Sequence, residues 1–171
     1  MTTLFILTSI IQSFSISLGV GSSTLAITNF FAAIADGKID ETERRMMGIV
    51  YIVLRIAMVA ILVTSVILIS IEVTISGFLG LTAFAYGQII VIATLYLNAA
   101  LMTARIMPST FGPAIQAGSW YTLGTLAALA ALGITGFSMP EFLLGYLTWI
   151  VLAVSIVNGT MAILKEMKKA R

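Results

Sequence analysis

Five apolar runs, interrupted internally by a single charged residue, leave this chain little choice of fold. They are Leu4 to Ala35, Met46 to Ile71, Phe78 to Ala104, Ala117 to Phe137 and Phe142 to Leu164, and the interrupting charge is Arg55. Each is at least as long as the roughly 20 residues with which a helix crosses hydrocarbon. A backbone in lipid must satisfy its polar groups within the segment or within a closed barrel, and runs of this length without strict alternation favour helices. Hydrophobic residues make up 60% of the 171, charged residues only 9%, and the mean hydropathy is +1.11. The expectation is an all-α integral membrane bundle of five transmembrane helices, a single domain over residues 1–171, multipass in the cell membrane with the lipid bilayer as its first partner.

The first run is the odd one. As one helix it would reach roughly 48 Å, against roughly 30 Å of hydrocarbon, so it must tilt, bend or protrude. It carries no basic segment ahead of it and exceeds a signal peptide in length, so it is expected to be retained. Its small residues fall in two rows at helical spacing: Ser9, Ser13, Ser17 and Gly21, and Ser15, Gly19 and Ser23. Either row admits a close neighbour, and the row through Ser9, Ser13 and Ser17 is expected to form the packing face. Gly19-Val20-Gly21 marks either a close contact or a break around a cavity.

Charge placement sets the topology. Lys38, Arg44 and Arg45 lie in the first loop, Arg105 in the third, and Lys165, Lys168, Lys169 and Arg171 in the tail, while the N-terminus and the second and fourth loops hold no Lys or Arg. The positive-inside rule then places the N-terminus outside and the C-terminus in the cytoplasm. The first loop, Asp36 to Glu43, resembles the second half of a calcium-binding loop, but Ala32 and Ile34 stand where its first ligands would be. An Asp36-Gly37 turn followed by a helix capped by Asp40 and Glu43 explains it better, and Ser138 with Glu141 repeats the capping pattern before the fifth run. Pro108 and Pro113 suggest a rigid third loop, Arg105 to Gln116. Trp120 and Tyr121 then read as interfacial anchors.

The chain has no His and no Cys. That removes thiol redox chemistry, zinc and iron–sulfur sites, His-ligated haem and His-based acid–base catalysis. No nucleophile, base and orienting group occur together, so no enzymatic activity, no metal and no cofactor is expected. The net charge of +2 lies at segment ends, where topology accounts for it, and nucleic acid is not an expected partner.

Arg55 is the residue most in need of explanation. It lies roughly 15 Å beyond Arg45 along a helix, near the bilayer midplane, where a charge is costly and should face the bundle. Three amides offer themselves as partners: Asn29, Asn98 and Asn158 each precede a charged residue by the same seven-residue step, on three runs of the same direction, and so share one depth. Together with Tyr51 and Thr28 they suggest a polar layer rich in donors, suited to a small anionic or polar ligand. The competing view is interhelical glue, with Arg55 satisfied by carbonyls, hydroxyls and snorkelling. Glu72 reads as a solvated boundary charge.

The Gly19-Val20-Gly21-Ser22-Ser23-Thr24 stretch, the charged first loop, and Leu97-Asn98-Ala99-Ala100 followed by Pro108 give the chain a resemblance to small multipass prokaryotic membrane proteins of unknown function. Those are distantly similar to the copper resistance D and cytochrome b561-like bundles. The resemblance implies a helical bundle. It carries over neither haem nor electron transfer, because the His ligands of the haem-bearing relatives have no counterpart here. The expected function is binding or passing a small ligand at the Arg/Asn layer. The alternative is a structural or accessory subunit that docks a second copy or a partner membrane protein.

Overall fold

In a computed structural model describing residues 2–36, 40–108 and 110–169, the protein is built from five helices. They are α1 (Thr2–Asp36), α2 (Glu41–Ser76), α3 (Ala83–Thr103), α4 (Phe111–Ala131) and α5 (Met139–Lys169), with one 3-10 turn at Phe78–Gly80 ahead of α3. Four stretches, Thr3–Ala33, Glu41–Ser76, Ala83–Thr103 and Met139–Met167, are long and apolar enough to cross a membrane. α4 is not one of them. The Gly37 turn expected in the first loop, and the tail beyond Lys169, lie outside the described residues.

The helix ends follow from local chemistry. Asp40 caps α2 by accepting from the Glu43 backbone N–H at 2.6 Å, and Glu43 accepts from the Asp40 N–H at 3.0 Å, closing the expected capping box. Glu141 accepts from the Ser138 N–H at 2.7 Å at the start of α5. The fourth element begins at Phe111, six residues before the expected Ala117, because Pro113 falls in its first turn, where a missing N–H breaks no helical bond. It ends where Gly133 takes a φ of 73°, with the Ile134 N–H returning to the Leu129 carbonyl at 2.8 Å.

Lengths differ sharply. α1 and α2 have 35 and 36 residues, whereas α3 and α4 have 21 each. At about 1.5 Å per residue, α3 and α4 match a hydrocarbon layer and α1 and α2 exceed it by about 20 Å. The five helices alternate in direction. At one end the first half of α1 meets the second half of α2, the start of α3 and the end of α4. At the other, Ile27, Phe30 and Phe31 of α1 pack with Ala114 of α4 and Val157 and Met161 of α5. These are called the N-terminal end and the loop end below.

α1 reverses the expected packing. Its buried stripe is Thr8, Gln12, Ser15, Ile16, Gly19, Ser22 and Ser23, while Ser13, Ser17 and Gly21 are exposed. The row through Ser15, Gly19 and Ser23 is therefore the packing face. The exposed hydroxyls are satisfied within their own helix, Ser13 donating to the Ser9 carbonyl and Ser17 to the Ser13 carbonyl. The helix runs unbroken through Gly19–Gly21, which settles that question in favour of a close contact. A Cβ on Gly19 would overlap the Trp120 ring. Trp120 is accordingly no interfacial anchor but the largest fully buried side chain, at the centre of a core with Ile61, Val91, Leu95 and Leu123. Tyr121 is the half-exposed member of the pair, its hydroxyl 2.8 Å from that of Thr24. A stack of Phe137, Phe142 and Tyr146 seals the start of α5, and the Tyr146 hydroxyl meets that of buried Ser119 at 2.8 Å.

Candidate binding cavity

The six residues expected to form a polar layer do not converge. No hydrogen bond joins any two of them among the described residues. Asn98 is buried on α3 and donates to the Gly112 carbonyl at 2.9 Å and to the Gln116 amide oxygen at 3.1 Å, tying α3 to α4. Asn158 spends its amide on the Val154 carbonyl of its own helix, and Thr28 does the same with Thr24. Asn29 is half-buried and Tyr51 exposed.

Arg55 faces outward rather than into the bundle. Its level in the bundle follows from its neighbours on α2. Met58, one turn away on α2, accepts from the Tyr96 hydroxyl at 2.8 Å through its carbonyl, and its sulfur meets the Gln116 amide at 3.6 Å. Gln116 lies in the second turn of α4. Arg55, about 5 Å further toward the loop end, is therefore level with the first turn of α4.

A cavity of about 740 Å³ lies elsewhere, at the N-terminal end. It forms where four helices leave room for one another. α4 presents only Ala127, Ala130 and Ala131 here, opposite Phe5 and Ile16 of α1, Leu68 and Ile75 of α2, and Phe84 of α3. The wall is mainly apolar, as in most small-molecule sites. Its polar groups are few: Ser9, Gln12 and Ser13 from α1, Glu72 and Ser76 from α2, and Gln88 from α3.

These groups are held in defined states. Gln12 is buried and donates its amide to Ser65 across α2 at 3.0 Å. Glu72 accepts through one carboxylate oxygen from both the backbone N–H and the hydroxyl of Thr82, at 3.1 and 3.0 Å. It thereby clamps the end of α2 to the start of α3, where Thr82 caps the helix through the Ala85 N–H. Gln88 is the exception. Its residue is only 8% exposed, it faces the cavity, and it has no hydrogen-bond partner among the described residues. Its carboxamide lies at the cavity wall and is free to bond a polar occupant there as donor or acceptor.

The chain's glutamines number three, Gln12, Gln88 and Gln116, and all are buried. Two of them lie inside the expected first and third spans, which was the available signal for this site. A smaller cleft of about 180 Å³ lies between α1, α4 and α5, beside Thr24 and Tyr121, whose hydroxyls already pair with each other. Among the described residues no group of His, Cys, Asp and Glu is placed to hold a metal ion. No protein-family model, curated protein or solved structure matches the chain.

Proposed function

We propose that this is a non-catalytic multipass membrane protein that binds or passes a small polar ligand, and that its site is the cavity at the N-terminal end rather than an Arg/Asn layer. α4 crosses as a fifth span in this reading. Its buried face carries Gln116 and Ser119 together with Gly112, Ala114, Ala117 and Gly118, a composition tolerable in a membrane because α1, α3 and α5 cover it. The N-terminus then lies outside and the C-terminus in the cytoplasm, so the cavity opens toward the outer face. Arg55 sits at the inner headgroup level, where a lipid-facing arginine can extend to water and phosphate.

The observation that carries the proposal is Gln88, a largely buried residue whose unpartnered carboxamide lines a cavity large enough for a small molecule. The test is native mass spectrometry of protein extracted with its own lipids, wild type against Gln88→Leu. A non-lipid adduct on the wild type that is lost in the variant is the expected result. A wild type without any adduct, and a Gln88→Leu variant that is simply more stable, would remove the proposal.

A second reading, an accessory subunit, is favoured by the exposed Ser13, Ser17 and Gly21 stripe, flanked by Ile10 and Phe14. A Ser17→Cys variant that forms no crosslink to a second copy or another membrane protein counts against it.

A further inference from the structure

Resting on the cavity-binding reading, we infer that the ligand is a lipophilic amine, bound as its ammonium ion with Glu72 as counter-charge. The argument is the hydrogen-bond state of the lining. Ser9 and Ser13 donate their hydroxyl protons to the Phe5 and Ser9 carbonyls, at 2.8 and 3.0 Å, so toward the cavity they offer only lone pairs. Gln12 has directed one amide N–H at Ser65, which leaves its carbonyl oxygen and its second N–H. Glu72 uses one carboxylate oxygen for Thr82, and the second oxygen keeps its acceptor capacity.

The cavity is therefore biased to acceptors and carries one negative charge, while none of its lining residues is Lys or Arg. Gln88 and Ser76 supply the remaining polar contacts, and both can adapt as donor or acceptor. Glu72 is half-buried beside a mostly apolar wall, where a carboxylate attracts a cation more strongly than it would in open water. The aromatic faces of Phe5 and Phe84 and the aliphatic wall suit the body of an amphiphile, and the phenyl rings favour a cation over an anion. An ammonium group meets each of these demands: it brings N–H donors, a positive charge and an apolar substituent.

Three probes with one body test this: phenylbutylamine, phenylbutanol and phenylbutanoate, titrated by calorimetry at neutral pH into the protein in nanodiscs, with empty nanodiscs subtracted. The amine is expected to bind at least tenfold tighter than the alcohol, and the carboxylate not to bind. Glu72→Gln should bring the amine down to the level of the alcohol, with circular dichroism reporting the helical fold, since a glutamine oxygen can still accept from Thr82. Glu72→Asp should retain the amine preference within a few-fold. If amine and alcohol bind alike in the wild type, or if Glu72→Gln leaves the amine preference intact, the inference is overturned and the cavity remains a neutral polar site. If none of the three binds, or only the carboxylate does, the inference fails. In the first of these cases the cavity reading itself falls only if the native protein also carries no adduct that Gln88→Leu removes.

Discussion

At the scale of single residues, Gly19 and Gly21 look equivalent in the sequence and are not equivalent in the fold. Gly19 seats the buried Trp120 ring so closely that any side chain must displace it, whereas Gly21 has open space around it. Gly19→Val is therefore expected to cost about 1–3 kcal/mol through overpacking, and Gly21→Val to stay within about 0.5 kcal/mol. Thermal unfolding of the two variants in the same detergent checks this, and equal losses would mean that α1 packs otherwise. A stripe of small residues announces that some neighbour approaches. Which of two adjacent stripes is used depends on where Trp120 lands, and nothing local to α1 encodes that.

At the scale of the elements, four of the five apolar runs became helices close to where hydropathy placed them, because segment length and backbone satisfaction in lipid leave few alternatives. The capping boxes at Asp40 and Ser138 were legible too, since a cap is a contact between residues three apart. The fourth element was misplaced because Pro113 and Gly112 read as loop, while Gly112 is in fact a helical position packed against Met102. The candidate site was less legible than the elements. The matched spacing of Asn29, Asn98 and Asn158 says nothing of azimuth, and Asn98 faces α4 whereas Asn158 bonds within its own helix. Their expected stabilities differ accordingly. Asn98→Ala strips the Gly112 carbonyl and the Gln116 oxygen of a donor inside the α3–α4 contact, an expected loss of about 1–3 kcal/mol. Asn29→Ala and Asn158→Ala break no interhelical bond and should each change stability by less than about 0.5 kcal/mol. Equal losses at all three positions, measured by thermal unfolding, would restore the shared layer.

For the whole molecule, the decisive question is what α4 does, since it fixes both the parity of the spans and the face on which the cavity opens. α4 fails a hydropathy criterion, yet it runs the full depth of the bundle between α1, α3 and α5, with Trp120, Leu123 and Leu126 in the core. Hydropathy measures contact with lipid, and a helix enclosed by others has little such contact, so its Gln116, Ser119 and glycines cost less than the scale implies. At 21 residues it is also about 32 Å long, enough to cross. The basic residues Arg44, Arg45, Arg105 and Lys165 all fall at the loop end. Since the chain contains no cysteine, single cysteines at exposed turn positions give an unambiguous readout. Thr135→Cys, in the turn after α4, should react with a membrane-impermeant maleimide on intact cells, and Ile106→Cys, in the turn before it, only after permeabilisation. Labelling of both from the same side would mean that α4 does not cross, and labelling in the reverse order would turn the Glu72 cavity toward the cytoplasm.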